Sequence, residues 1–308
     1  MTGLGIAAGC LLAVSFAAGT LSNTPGRDPN MTVGGYRVLS ADFHVHSFPL
    51  SWSTLSPWDT VIEAQRQGLD VIAMTPHHHL WVAKAGRWYS RVAGGPIVFA
   101  GEEIVSDRYH LLAVGIQRTV SWNRTAASAI DEIHKQGGIA IAAHPIAHFW
   151  PAYDAQAREK LDGAEVVQPI AWASEAFADQ LRQFYGSAHL AAFGDSDYHG
   201  LGPIGVCRTY VFTREATEQG VLDAIRAGRT VVFDRGRAFG DPELIRLASE
   251  DGRLPGPDPA RLSTGFSVML SRIAGIAGLL IAFFSFRGPA ATKSSAPGRS
   301  LPASTDFV

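Results

Sequence analysis

Cysteine is nearly missing from this chain: two in 308 residues, Cys10 and Cys207. Cys10 falls in an apolar N-terminal run, which leaves Cys207 without an obvious partner. No disulfide framework can be built from this pair, and a cysteine-rich zinc module is excluded. An excess of either charge is missing too. Lys and Arg number 26 against 28 Asp and Glu, a formal net charge of −2, so there is no basic footprint and nucleic acid is not expected as a partner. No G-x-G-x-x-G follows the first strand-like run and no internal repeat is visible, so neither a dinucleotide fold nor a solenoid is indicated. What is plentiful is apolar surface, with 46% hydrophobic residues, enough for one large domain or two small ones. Histidine is also plentiful: there are 11, several in tight clusters.

Both ends read as membrane-directed. Leu4 to Leu21, LGIAAGCLLAVSFAAGTL, carries no charge and is rich in small residues. It has the character of a secretory h-region or a short anchor, without the usual positive n-region. Near the other end, FSVMLSRIAGIAGLLIAFFSF has Arg272 as its one charge. Its uninterrupted part, Ile273 to Phe286, reaches only ~21 Å at ~1.5 Å per residue, short of the ~30 Å hydrocarbon core. Adding Phe266 to Ser271, with Arg272 near an interface, makes a span feasible; a buried C-terminal helix is the alternative. Arg287, Lys293 and Arg299 follow it, and positive charge favours the cytoplasmic side. The middle of the chain would then lie outside the cytoplasm. The expected organisation is a signal peptide or N-terminal anchor over 1–22, a domain over 36–235, and a linker over 236–264 marked by Pro, Gly and Asp clusters. A transmembrane helix over 265–287 and a disordered, Pro- and Ser-rich tail over 288–308 complete it.

Between the ends the pattern alternates strand and helix. YRVLSADFHV, DVIAMT, PIVFAGEEI, HLLAVGI, GIAIAAHP, AEVVQP, LAAFGDSD and TYVFT read as buried strands. SPWDTVIEAQRQG, TAASAIDEIHKQG and ATEQGVLDAIRAG read as helices ending in Gly, the first opening on a Ser-Pro cap. Repeated β-α units predict a mostly parallel sheet, either a barrel or doubly wound.

The informative residues are polar groups where strands should be apolar. In ADFHVHSF, Asp42, His44 and His46 alternate with Phe43 and Val45 and share one side of the strand. MTPHHH ends the next strand with His77, His78 and His79; FAGEEI places Glu102 and Glu103; RYHLL supplies His110. IAAHP ends on His144, and FGDSDYH on Asp195, Asp197 and His199. Each alone has a bland reading: surface decoration for His-x-His, a solvated loop for the histidine run, a turn for the glutamates. Their joint occurrence at successive strand ends is what points to a site, because in a parallel barrel those ends converge on one face. Imidazole and carboxylate suit zinc, manganese or iron. More than four such groups, with a carboxylate able to bridge, imply two or three cations. Adjacent cations polarise a phosphoryl or acyl oxygen and acidify water near neutral pH. His134 reads as an exposed helix residue, and His148 and His189 as structural.

Taken in order, DFHVHS, GLDVIAMTPH, GEEI, YHLL, AAHP and SDYH resemble the PHP superfamily (polymerase and histidinol phosphatase) over residues 36–235. TYVFTREATEQGVLDAIRAGRTVVF is similar to the branch that includes carbaryl-hydrolase-like proteins. The resemblance implies an α/β fold, a distorted (β/α)7 TIM-like barrel of the PHP type, with a di- or trinuclear metal centre and phosphoester hydrolysis. By position it implies that His44 and His46 share a cation with Asp197, that Glu103 bridges, and that His110 and His144 complete a second site. His77 and His199 would hold a third cation where one is bound, and Asp42 would support a ligand histidine from behind. Two departures stand out. Pro76 replaces the aspartate of the family's Thr-Asp-His, and FPLSWSTLSP lacks the Asp or His that follows the first motif. Without a third cation, His77 and His199 would contact substrate oxygens or move protons, so His77, His199 and Asp197 are the candidate catalytic residues. The expected function is a membrane-anchored, extracytoplasmic phosphatase or phosphodiesterase using two or three divalent ions on a small phosphate ester, with Arg208 as a conceivable phosphate partner. Hydrolysis of a carboxyl ester, amide or carbamate on the same centre is the first alternative. A metal-binding domain without catalysis, suggested by the two departures, is the second. No protein partner is implied.

Overall fold

The computed structural model describes residues 3–23, 31–49, 51–200, 202–252, 254 and 265–286. The tail expected over 288–308 and the 255–264 part of the expected linker lie outside the described residues. Helix α1 (Gly3–Ser22) is followed by strands β1 (Thr32–Val33) and β2 (Tyr36–Val45), then α2 (Pro57–Arg66), β3 (Val71–Met74), α3 (Trp81–Ala93) and β4 (Ile97–Val105). Next come β5 (His110–Val114), α4 (Ala126–Lys135), β6 (Ile139–Ala142), a short 3-10 helix (Ala147–Ala152), α5 (Ala155–Lys160) and β7 (Gly163–Val167). The chain continues through α6 (Ile170–Ala173), α7 (Glu175–Tyr185), β8 (Ala191–Gly194), β9 (Thr209–Thr213), α8 (Glu218–Arg226) and β10 (Thr230–Asp234). It closes with β11 (Arg237–Gly240), α9 (Pro242–Asp251) and α10 (Phe266–Phe286).

The strands form one curved sheet in the order β11-β10-β9-β2-β3-β4-β5-β6-β7-β8, with β1 on β2. The sheet nearly closes on itself where β8 meets β9. Thr209 Oγ1 accepts from Gly194 N at 2.9 Å and donates to Gly194 O at 3.1 Å. A Cβ at Gly194 would lie 2.7 Å from Val232 Cγ1 and 3.0 Å from the Arg208 carbonyl oxygen, so this seam needs glycine. The result is the expected distorted α/β barrel. One seam-side cluster joins Leu39, Phe43, Phe99, Phe193 and Val211 to Ile225 of α8, with Phe43 edge-on to Phe193 at 5.2 Å. A second packs Ile62 of α2 and Tyr89 of α3 on Ile72 and Met74. Each fully buried side chain of this size contributes about 1.5–3 kcal/mol.

Three expectations are corrected. The sheet is mixed rather than mostly parallel: β2-β3, β3-β4, β6-β7 and β7-β8 pair parallel. In contrast, β4-β5, β5-β6, β2-β9, β9-β10 and β10-β11 pair antiparallel. Only Ser106–Tyr109 separates β4 from β5, too short a link for a crossover helix, so β5 must reverse. Residues 236–264, expected as a linker, contain β11 and α9. Asp241 is an N-cap, accepting from Glu243 N at 2.8 Å and Leu244 N at 3.0 Å, and Pro242 takes the first turn. Leu244 and Ala248 are buried against Val38 and Phe212. Arg208 is not a phosphate partner in this arrangement. Its guanidinium donates to Ser40 Oγ at 2.9 Å and Gln67 O at 2.7 Å, bracing β2 to the C-terminal end of α2.

Helices α1 and α10 are each long and apolar enough, by length and composition, to cross a membrane. They pack antiparallel: Ser15 Oγ donates to Ser271 O at 2.7 Å, and Leu12 lies against Gly278. The pair is fastened to α2 by polar groups. Trp58 Nε1 donates to Ser15 Oγ at 2.8 Å, Ser271 Oγ lies 2.5 Å from Asp59 Oδ1, and Arg272 pairs with Glu63 at 2.6 Å. The one charge in α10 therefore faces protein.

Candidate metal centre

One end of the barrel gathers the histidines. His44 is near the end of β2 and His46 just beyond it; a register shift between Asp42 and Val45 turns this stretch inward. His77 follows β3, Glu103 lies within β4, His144 follows β6, and Asp197 and His199 follow β8. His110 opens β5. Because β5 is antiparallel, its first residue pairs with Val105 at the same end.

Glu103 is the hub. Its Oε2 lies 3.3 Å from His44 Nε2, 3.3 Å from His46 Nε2 and 3.0 Å from His77 Nε2. Its Oε1 lies 2.8 Å from His110 Nδ1 and 3.3 Å from His144 Nε2. Asp197 Oδ1 lies 3.2 Å from His44 Nε2, 3.1 Å from His46 Nε2 and 3.2 Å from His199 Nδ1. Three groups of converging donors result: His44, His46, Glu103 and Asp197; Glu103, His110 and His144; and His46, His77 and His199. Around a cation with ~2.1 Å bonds, neighbouring donors stand roughly 3.4 Å apart, close to these separations. Asp197 Oδ1 is buried with no hydrogen bond, an acceptor aimed at other lone pairs. The donor set therefore fits divalent cations.

The backbone is bent to aim these groups. His144 holds φ 25° and Asp197 φ 46°, in the sparsely populated left-handed region, a local strain typical of functional sites. Electrostatics match the crowding. Burial alone would raise the Glu103 pKa, but His44, with hydrogen bonds from His110 and His144, holds it well below 4.5. Asp197 behaves alike: burial is outweighed by His44, His199 and His46, and its pKa falls well below 3.8. Burial lowers His46 below 6.5. For His44 burial acts the same way, yet Asp197, Glu165 and Glu103 together carry it well above 6.5.

The supporting residues were mostly hidden in the sequence. Glu165, buried in β7, accepts from His44 Nδ1–H at 2.7 Å and through its other oxygen from His144 N at 2.7 Å. Its only signal was a carboxylate inside the apolar run GAEVV. Ser51 Oγ lies 3.0 Å from His46 Nδ1, and Gln168 Nε2 donates to Asp197 Oδ2 at 2.9 Å. Asp42, expected behind a ligand histidine, meets backbone instead: it accepts from the N–H groups of His44, Ser196 and Gly205, and burial pushes its pKa up to about 6. Glu102 turns away from the cluster and accepts from Val120 N at 2.5 Å. His134 pairs with Asp162 at 2.8 Å, outside the site.

Two clefts flank the centre. One, of about 560 Å³, runs between Phe48, Trp52, His77 and His199. The other, of about 580 Å³, runs between His78, His110, Trp122 and Phe149. His77 and His199, each about one-third exposed, are the most accessible cluster members, and His110 reaches the second cleft.

Residues 178–230, which contain Asp197 and His199, match the family described as PHP-associated. An uncharacterized protein of Methanocaldococcus jannaschii is 26% identical over 140 residues, 42% of this chain and 81% of that protein. Among solved structures, a two-domain protein from Bacteroides vulgatus containing a predicted PHP-like metal-dependent phosphoesterase matches with a TM-score of 0.59 at 21% identity, covering 74% of each chain. That likeness carries the fold: the barrel is of the PHP-like type.

Proposed function

We propose that this chain is a metal-dependent phosphoesterase, with two or three divalent ions of zinc, manganese or iron at the mouth of its barrel. The observation that carries the reading is Glu103, buried, with one oxygen facing His44, His46 and His77 and the other facing His110 and His144. His44, His46 and Asp197 would hold one ion with Glu103, and His110 and His144 a second. His77 and His199, with His46, offer a third position or contact substrate. Ions in these positions would polarise a phosphoryl oxygen and acidify a water molecule.

The chain's own residues prepare that chemistry. Glu165 keeps the proton on His44 Nδ1 and so presents Nε2 as a lone pair. Ser51 Oγ steadies the ring of His46 at Nδ1, and Gln168 Nε2 donates to Asp197 Oδ2 and holds that carboxylate in place. His77 and His199, at the surface edge, would pass a proton to a departing alkoxide. A carboxyl ester, amide or carbamate is the rival substrate, favoured by one observation: among the described residues, no Lys or Arg lines either cleft. Helices α1 and α10 would anchor the protein. The packing of α1 on α10 and α2 supports a retained anchor, and Arg287, Lys293 and Arg299 support a cytoplasmic tail with the barrel on the other side.

Metal analysis of the full chain, with assays on 4-nitrophenyl phosphate, bis(4-nitrophenyl) phosphate and 4-nitrophenyl acetate, tests this. At least two ions per chain and cleavage of a phosphate ester are expected. Cleavage of the acetate alone would move the assignment to acyl chemistry. Fewer than two ions with no cleavage would make this a binding domain.

A further inference from the structure

The apolar helices have a direction relative to the site. In the β2-α2 unit, the N-terminus of α2 lies at the barrel end that carries the metal centre. Helix α1 runs parallel to α2, with Ser15 meeting Trp58 and Gly19 meeting Ile62. Helix α10 runs antiparallel to α2: Arg272 meets Glu63, then Gly275 meets Ser56 and Asp59. The remainder of each, residues 3–14 and 276–286, therefore projects past the site end of the barrel by roughly 16–18 Å at ~1.5 Å per residue. Each whole helix is about 30 Å long, the thickness of a hydrocarbon core. With those projecting parts inserted, reaching roughly half-way through that core, the mouth of the barrel is drawn down to the membrane interface.

The rim of the mouth has a composition suited to that position. Among the described residues, four tryptophans are exposed: Trp52, Trp81, Trp88 and Trp122. Trp52, in the β2-α2 loop, is 88% exposed; Trp81 opens α3, and Trp122 precedes α4 beside the second cleft. All three surround the mouth. Trp88 stands on the flank, its ring 6.1 Å from Phe16 of α1. Tryptophan favours the boundary between headgroups and acyl chains. The two clefts lie on either side of the centre, which leaves room for one arm of a diester on each side.

We propose that the metal centre opens onto the bilayer that holds α1 and α10, and that its substrate is a phosphodiester of a membrane lipid rather than a soluble ester. The proposal rests on the anchored metallohydrolase reading. In the reaction, the oxygen of water forms the new P–O bond, one ester P–O bond breaks, and the departing alkoxide takes up a proton, giving an alcohol and a phosphomonoester.

The test uses the full chain, loaded with manganese or zinc and reconstituted in vesicles of phosphatidylcholine, phosphatidylethanolamine and phosphatidylglycerol. Brominated phosphatidylcholine should quench its tryptophan emission. In a Trp58→Phe/Trp88→Phe background, which removes the two tryptophans beside α1, Trp52→Phe/Trp81→Phe/Trp122→Phe should lose most of that quenching, whereas Trp150→Phe/Trp172→Phe should keep it. The same vesicles should release phosphomonoester product. Quenching that survives the triple substitution, or a chain that does not float with vesicles, overturns the orientation. Cleavage of bis(4-nitrophenyl) phosphate without cleavage of vesicle lipid overturns the lipid substrate and leaves the phosphoesterase reading standing. Cleavage of neither ester overturns both the substrate and the phosphoesterase reading, while quenching still reports the orientation.

Discussion

At the scale of single residues, two neighbouring glutamates show how strand alternation separates chemistry from structure. Glu103 faces five imidazoles; Glu102, on the opposite side of β4, faces Val120 N and apolar groups, with its Oε2 buried and unpartnered. Burial raises the Glu102 pKa to about 7, against the hydrogen bond from Val120 that lowers it. An acid whose folded pKa exceeds its unfolded value ionises first in the unfolded chain. Its contribution to stability is therefore full below about pH 4.5 and is lost as pH rises through about 7, on the order of 3 kcal/mol in all. Glu102→Gln should flatten the melting temperature between about pH 5 and 8; a variant that follows the parent slope would show that Glu102 is not the titrating group. Glu165 makes the complementary case. Glu165→Gln should weaken metal binding ~10–100-fold, read by competition with a chelating dye, and an unchanged affinity would remove it from the support of His44. The histidines were legible because imidazoles interrupt apolar strands. Glu165, Ser51 and Gln168 were not, because one carboxylate in a strand or a neutral side chain in a loop carries no pattern until the fold brings it to its partner.

At the scale of elements, helices bounded by caps were the most readable. Ser56 and Pro57 open α2 as expected, with Asp59 N donating to Ser56 Oγ at 3.2 Å, and Thr125 and Thr217 cap α4 and α8. Strand direction was less legible, since HLLAV would look the same running either way; the shortness of Ser106–Tyr109 decides it. The linker assignment failed for a related reason. Gly, Asp and Pro mark a helix start as readily as a loop, and Asp241-Pro242 is such a start. The β8-β9 seam was invisible because Gly194 and Thr209 are far apart in sequence and neither belongs to a motif. Gly194→Ala should cost about 1–3 kcal/mol, because backbone at Arg208 cannot move aside as a flexible side chain would. Thermal unfolding of the variant measures this, and an unchanged transition would mean that the seam is looser than its contacts imply.

At the scale of the whole molecule, the barrel type followed from an ordered set of short motifs, but the way α1 and α10 mount on it did not. Ser15 and Ser271 are 256 residues apart, and no periodicity in either apolar run announces that the two serines meet Trp58 and Asp59 of α2. The consequence is that α2 is held from two sides: by the helix pair on its outer face and by the loop carrying Ser51 and Trp52 at its start. The metal centre draws together residues around β2, β3, β4, β5, β6 and β8, so ions bound there would tie most of the barrel into one unit. Ions that bind only the folded state stabilise it by about 4 kcal/mol at a thousandfold excess over Kd. For a domain of this size that is on the order of 10 °C in melting temperature. Chelation of the full chain should lower the barrel's transition by that order, and manganese or zinc should restore it. The same treatment of a His44→Ala/His144→Ala variant should shift it far less, because one donor is gone from each of the two groups that share Glu103. If chelator and metal leave the parent transition where it was, the converging imidazoles do not form a binding site, and the fold stands on its apolar clusters alone.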